Sequence, residues 1–416
     1  MAESPGMAYR FFSTFLIPFW FVHAIIHNRQ YPSVRYLKLR FFPDHQKDSS
    51  SRIWIHGSSL GEIETISPLV SELLDRGESL LLTSFTAAGY QAIERNFGSR
   101  VAVDVIPVDQ IAFCAYFLRR YNLKLFLLAE TELWPELLFQ ARRKCPILQV
   151  NARLSDKSIK APIAIRYLLR RAISNINFHL TRNQSDHENL MGLGAPKENI
   201  KVIGNLKNAL KNKMIDPIEL PRDYLLLAST HSGEEQSFLE ARPGEYSNLL
   251  LVIAPRHPHR RDEIIKLATR LNLKLSIRSL NQIVELDTTI YLVDTLGELK
   301  GFMANAQMVI MGGSFDQTGG HNLIEPAEFN KAIITGPSDS NIQSDLKLLE
   351  IGRGVFQVAT VEACWNSIGK LLNDPDKATQ IGKYAGNQVR QSANTVLNNY
   401  LQEIDRWLPK ENKKPP

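Results

Sequence analysis

The sequence predicts an α/β protein made of two doubly wound parallel sheets, and three observations carry that expectation. Short aliphatic and β-branched runs alternate with longer amphipathic stretches, the pattern of β-α-β units. The alternation stops in a polar stretch, residues 206–222, which holds Pro217 and Pro221, and then starts again. The chain of 416 residues, 44% hydrophobic and 22% charged, is long enough to bury two separate cores.

In the first half the strand candidates are RIWIHG (52–57), SLLLTSF (79–85), VAVDVIP (101–107), LKLFLLAE (123–130), PILQVNAR (146–153), FHLTRN (178–183) and KVIG (201–204), giving a domain over residues 49–205. In the second half they are YLLLAST (224–230), NLLLVIAPRH (248–257), KLSIRS (274–279), TIYLVDT (289–295), QMVIMGGS (307–314) and KAIITGP (331–337), giving a domain over residues 223–410 closed by a C-terminal helix. Residues 411–416 have the composition of a disordered tail. Open parallel sheets bind ligands beyond the carboxyl ends of their strands, so the loops that follow these runs are where chemistry is expected.

The N-terminus has a different character. Phe11 to Ile26 reads FFSTFLIPFWFVHAII, sixteen residues without a formal charge. As one helix it would reach ~24 Å, short of the ~30 Å hydrocarbon core, so it is expected to lie in a membrane interface or span a thinned bilayer. Arg29, Arg35, Lys38 and Arg40 follow, which puts the remainder on the cytoplasmic side. Residues 1–48 are therefore read as a membrane-anchoring segment, with a core helix of the first domain as the alternative. A cleaved signal peptide is disfavoured, because Arg10 is the lone cation before Phe11 and no small-x-small site follows.

A formal charge of +6 calls for an anionic partner. No RNP, zinc-finger or helix-turn-helix pattern supports nucleic acid in that role. Cys114, Cys145 and Cys364 are widely spaced with no C-x-x-C pair, so they read as reduced core residues.

Six motifs carry the chemistry. In GGHNLIEPA (319–327), Gly319 and Gly320 permit positive φ and close approach, Asn322 can cap a helix, and Glu325 can accept from ribose hydroxyls. In IWIHGSSLGE (53–62), Glu62 enters a helix from a Gly- and Ser-rich turn; helix-dipole stabilisation alone would explain a carboxylate there. ETELWP (130–135) puts Glu130 and Glu132 at a strand end, as an acceptor-side pair or as ion-pair partners of Arg153. APRHP (254–258) puts Arg256 at another strand end, where a guanidinium grips phosphate or forms a surface ion pair. LGEL (296–299) and GGS (312–314) are weak alone, and VNARLS (150–155) has no chemistry of its own in the sequence.

As a set, taken in chain order, these motifs resemble the Kdo transferases, and the resemblance runs from about residue 9 to about residue 390. These are membrane-associated enzymes that move 3-deoxy-D-manno-octulosonic acid (Kdo) from CMP-Kdo to the lipid A precursor, lipid IVA, in lipopolysaccharide synthesis. Gly57, Leu60 and Leu323 depart from the family pattern without removing a polar group. The resemblance implies the GT-B fold, two Rossmann-like domains facing a cleft, and inversion at the anomeric carbon. It implies Glu62 as catalytic base, with Glu130 and Glu132 on the acceptor side. For CMP it implies Pro255, Arg256, Leu296, Gly297, Glu298, Asn322, Leu323, Ile324 and Glu325, supported by the loop residues Gly312, Gly313, Ser314, Gly320 and His321. It implies no cofactor, no metal, and work at the cytoplasmic face of the inner membrane. The alternatives are another GT-B enzyme using a different nucleotide sugar, a fold-related sugar epimerase, and a catalytically silent nucleotide-binding homologue.

Overall fold

The computed structural model describes residues 2–30, 33–41, 48–154, 156–209 and 216–409. The chain forms two compact units, Met1–Lys211 with Ala393–Pro416, and Asn212–Ser392.

The first unit holds β1 (Asp48–His56), β2 (Leu80–Ser84), β3 (Ala102–Val105), β4 (Tyr121–Ala129), β5 (Ile147–Ala152), β6 (Phe178–Thr181) and β7 (Ile200–Val202). They pair in parallel in the order β3-β2-β1-β4-β5-β6-β7. Alternation along β1 builds both faces of the sheet. Ile53 and Ile55 are packed with Ile63, Ile66 and Leu69 of the helix Leu60–Asp75. Trp54 goes the other way, stacked on Phe126 with ring centroids 3.6 Å apart. The strand order reverses between β1 and β4, which opens a crevice at their carboxyl ends.

The second unit holds β8 (Tyr224–Thr230), β9 (Leu250–Pro255), β10 (Leu275–Ile277), β11 (Ile290–Leu292), β12 (Met308–Met311), β13 (Ala332–Thr335) and β14 (Phe356–Gln357). They are parallel in the order β10-β11-β9-β8-β12-β13-β14, and the reversal falls between β8 and β12. Its core gathers Leu225, Leu227, Leu251, Ile253 and Ile310 around Trp365, whose indole donates to the Phe238 carbonyl at 2.9 Å. All thirteen expected strands are present; β14 is additional, and with two residues it has no apolar run to announce it.

Three boundaries differ from expectation. The helix Pro375–Asp405 does not close the second domain alone, since from Ala393 onward it belongs to the first unit. There Tyr400, Leu401 and Ile404 are buried with Ile53 and Leu80, and the Tyr400 hydroxyl donates to the Gly204 carbonyl at 2.9 Å. The expected linker is consumed from both ends. Leu206 and Ala209 are buried in the first unit's core, while Ile218 donates its N–H to the Gly301 carbonyl at 3.1 Å in the second. Residues 210–215 of that stretch, and the tail 411–416, lie outside the described residues. The three cysteines are free and buried.

The N-terminal segment is neither one long helix nor a core helix. It forms two helices, Met7–Phe15 and Ile17–Gln30, followed by Val34–Phe41. The break falls at Leu16, just ahead of Pro18, which has no N–H for a continuous helix and fits the first turn of the second. Among the described residues no helix is long and apolar enough to cross a membrane. One side of the segment is fastened to the first unit. Tyr9 donates to Asp109, Arg10 makes a forked pair with Glu136 at 2.8 and 3.1 Å, and Trp20 packs edge-on against Phe85 with centroids 5.4 Å apart. The other side leaves Phe11, Phe12, Phe15, Phe19, Val22, Ile25 and Ile26 exposed. Of the basic cluster, Arg35 pairs with Glu94 at 2.9 Å and Lys38 is exposed; the side chains of Arg29 and Arg40 lie outside what is described.

Candidate active site

β1 ends at His56, and Gly57-Ser58-Ser59 turn the chain into the helix Leu60–Asp75 at the first unit's crevice. Ser59 is its N-cap, accepting from the Glu62 N–H at 3.4 Å, and Glu62 reaches back to accept the Ser58 N–H at 2.7 Å. This is a capping box displaced by one residue, since the N–H that Glu62 satisfies belongs to Ser58, just before the cap. The same fold-back brings the Glu62 carboxyl into a half-buried position beside other carboxylates, so its pKa is pushed up to about 7. Burial is the largest cause, the Glu132 charge follows, Glu130 adds to it, and the Ser58 N–H acts in the opposite direction.

Glu130 and Glu132 come from the turn after β4, across the strand reversal. Burial acts to raise the Glu132 carboxyl, but His56, Trp134 and Ser58 outweigh it and hold it below the usual carboxylate range. Trp134 Nε1 donates to Glu132 Oε2 at 2.9 Å, and His56 Nε2 lies 3.8 Å from the same oxygen. Glu130 has φ 50° and Asn151 φ 52°, left-handed conformations that non-glycine residues adopt at a cost of roughly 1–3 kcal/mol. Among the bonds that hold this pair, Asn151 Nδ2 donates to Glu130 Oε1 at 3.3 Å, and Leu206 N–H donates to Asn151 Oδ1 at 2.9 Å. The expected Arg153 ion pair is not among the salt bridges of the described residues. Arg153 meets this turn through its carbonyl, which accepts from Thr131 Oγ1 at 3.0 Å.

In the second unit the loops after β8 and β12 are tied by Glu234. Its carboxylate accepts four backbone N–H groups, from His231 at 2.8 Å, Gly313 at 2.8 Å, Ser314 at 3.1 Å and Phe315 at 2.9 Å. The donors of the Gly312-Gly313-Ser314 loop therefore already hold an anion, the protein's own. Gly312 itself is required by close approach, since a Cβ there would lie 2.7 Å from the Thr230 Cα.

Arg256 follows β9, with its N–H donating to the Thr230 carbonyl at 3.0 Å and its side chain exposed. It has no ion-pair partner among the described residues, whereas Arg260 is clamped by Glu235 at 2.8 Å and Glu263 at 2.9 Å. Pro255 is the last residue of β9. The Glu298 carboxylate is taken: Arg278 grips it at 2.6 Å and holds it below the usual carboxylate range, leaving the exposed Leu296 and the backbone of Gly297, at φ 86°, as the free part of that motif.

Gly319 and Gly320 have φ 96° and 82°, as their motif requires. Asn322 Oδ1 accepts the Ile324 N–H at 2.8 Å, and Asp345 accepts the Leu323 N–H at 3.1 Å, so these two N–H groups at the start of the five-residue helix Ile324–Glu328 are filled from within the protein. Leu323 is fully buried. Glu325 is half-buried, with Lys300 Nζ 3.7 Å from its Oε1. His321 Nε2 lies 2.8 Å from His231 Nε2.

Glu234 escaped sequence reading, and neither His231 nor the strained Asn151, which lies within VNARLS, was given a role by it. One signal was available. HSGEE follows β8 as GSSLGE follows β1, and in both units an early helical glutamate folds back onto the turn that precedes it. What separates them is saturation. Glu234 accepts four N–H groups, filling a carboxylate's capacity, while Glu62 accepts one N–H and the Ser59 hydroxyl at 3.3 Å.

Comparison with known proteins points to one family. Residues 34–210 match a family model described as 3-deoxy-D-manno-octulosonic-acid transferase. The chain is 29% identical over 420 residues to a 3-deoxy-D-manno-octulosonic acid transferase of Rickettsia bellii, covering 96% of this chain and 99% of the relative. It is 34% identical over 379 residues to the enzyme of that description from Bordetella pertussis, covering 86% of this chain and 87% of the relative. A glycosyltransferase structure from Rickettsia africae shares the fold, with TM-score 0.54 and 12% identity over 88% of this chain and all of that one.

Proposed function

Because this chain belongs to the 3-deoxy-D-manno-octulosonic acid transferase family, we propose that it moves Kdo from CMP-Kdo to a hydroxyl of the lipid A precursor, lipid IVA, by a single inverting displacement. The observation that carries this reading is the Glu62 carboxyl, tuned to about 7 at the strand reversal of the first unit. A general base works best with a pKa near the working pH.

Glu62 takes the proton of the acceptor hydroxyl as that oxygen bonds to the Kdo anomeric carbon. The bond from that carbon to the CMP phosphate oxygen breaks, and CMP departs with the electron pair. Glu132 stays ionised, accepts from the acceptor, and keeps the proton affinity of Glu62 high. The unpaired Arg256 grips the donor phosphate and offsets the charge that grows as CMP leaves, by preorganised electrostatics without a divalent ion. Glu325 accepts from the ribose hydroxyls, and the Leu296-Gly297 backbone receives the nucleotide.

The exposed face of Phe11, Phe12, Phe15 and Phe19 seats the enzyme in the headgroup layer at the cytoplasmic face of the inner membrane, lying on the bilayer instead of crossing it. The test is incubation of the purified protein with CMP-Kdo, generated in place, and lipid IVA. Glycosylated lipid and CMP are the expected products. Turnover of a UDP-sugar, or none, would favour the other nucleotide-sugar enzymes or a silent homologue.

A further inference from the structure

His231 follows β8 directly, and His321 stands in the loop after β12, so the strand reversal of the second unit brings two imidazoles together. Their Nε2 atoms are 2.8 Å apart and their rings lie 5.0 Å apart at 20°. Gly313 makes the room, because a Cβ there would sit 2.8 Å from His321 Cδ2 and 3.4 Å from His231 Cδ2. The Gly320 N–H donates to the Gly313 carbonyl at 2.6 Å and closes the loop that presents His321. Ser229, two residues before His231, has φ 57°, so strained backbone marks this strand end as it does Glu130 in the first unit.

Two nitrogens at that distance hold one proton between them. One ring donates and the other accepts, so the pair is neutral or carries one positive charge, never two. We propose that His231 and His321 act as a proton-coupled anion site for the donor's phosphodiester, neutral when the site is empty and singly charged when the phosphate is bound. This rests on the reading of the second unit as the CMP-Kdo site.

The surroundings fit both states. Burial, His231, Arg256 and His257 together hold His321 below the ordinary imidazole range, and Asp316 acts against them. Asp316 Oδ2 lies 3.9 Å from His231 Nδ1 and accepts the Thr318 hydroxyl at 2.7 Å, while Asp316 Oδ1 accepts the Thr318 N–H at 2.8 Å. On the β8 side Glu234 is filled by its four N–H groups and Glu235 by Thr230 and Arg260. On the β9 side stand Arg256, His257, with its ring 6.0 Å from His231, and His259 beyond it. An anion added beside Arg256 tips this balance toward uptake of one proton, which places positive charge under the leaving group without requiring it in the empty site.

The probe is cytidine 5′-methyl phosphate, a diester with one charge at every pH used. Binding to the full-length protein is measured by calorimetry in buffers of different ionisation heat, with EDTA and again with added zinc. The wild type should take up most of one proton near neutral pH and bind several tens of times more weakly at about pH 8 than at about pH 5.5, as for a linked shift of about two pK units. His321→Gln and His231→Gln should bind with no uptake and a flat pH dependence. Binding by the wild type without uptake, or uptake that both variants retain, overturns the shared-proton pair and leaves the donor site standing. Binding that needs zinc makes the pair a metal site and also overturns it. Failure of the diester to bind under every condition removes the donor-site reading and the pair with it.

Discussion

The Ser58 N–H donates to Glu62 Oε2 at 2.7 Å, and this bond turns a helix-capping carboxylate back over the end of β1. One side chain thus serves the fold and brings a carboxyl of raised pKa to the strand reversal where Glu132 also arrives.

Glu62→Gln keeps an acceptor for Ser58 and loses the base. Turnover should fall by roughly 10²- to 10⁴-fold, while CMP affinity, which depends on the second unit, stays within about twofold. Steady-state turnover beside CMP titration checks both halves of the statement.

The same substitution should stabilise the protein above neutral pH. The folded-state pKa of Glu62 is raised from 4.5 to about 7, so the folded protein binds the proton more tightly than the unfolded chain. Its contribution to stability is present below the unfolded value and is lost as pH rises through the folded one. Denaturant unfolding should find Glu62→Gln more stable than wild type by about 1–3 kcal/mol at about pH 8, with the gap closing at about pH 5.

The fold was legible because its strands are apolar runs whose burial needs no partner knowledge, and β14 was missed for want of such a run. Glu62 and Arg256 were legible as residue types just past strand ends, and Glu325 as one at a helix start. The free or bound state of each was not. Arg278 on Glu298, Asp345 on Leu323 and Glu234 on Gly313 are contacts across 20, 22 and 79 residues, set by tertiary packing alone. The expected anchor is two helices because Pro18 breaks it after Leu16; its attachment to the first unit through Tyr9–Asp109 and Arg10–Glu136 is set by tertiary packing and leaves no trace in hydropathy.

Arg256→Ala removes the unpaired guanidinium. Turnover should drop about 10²- to 10³-fold and CMP should bind more weakly, since a preorganised donor matters most where charge grows. EDTA should leave the wild type unaffected. Activity abolished by EDTA and restored by magnesium would assign the leaving-group charge to a metal.

Replacing Phe11, Phe12, Phe15 and Phe19 together by Ser tests the membrane face without cutting the contacts of Tyr9, Arg10 and Trp20. Exposed positions tolerate substitution within about 0.5 kcal/mol each, so thermal unfolding should change little. Each phenylalanine is worth about 1.5–3 kcal/mol when buried in an apolar phase, so binding to anionic vesicles should vanish at high salt and persist in part at low salt through the basic residues. Unchanged flotation at high salt would move the membrane contact elsewhere.

The role of Glu62 is tested most sharply by the pH dependence of the single-turnover rate with CMP-Kdo and lipid IVA bound. The rate should climb with pH and level off with an apparent pKa of about 7, and the Glu62→Gln residual rate should lack that limb. A wild-type rate flat across this range, or a variant that keeps both the limb and the rate, would contradict that role.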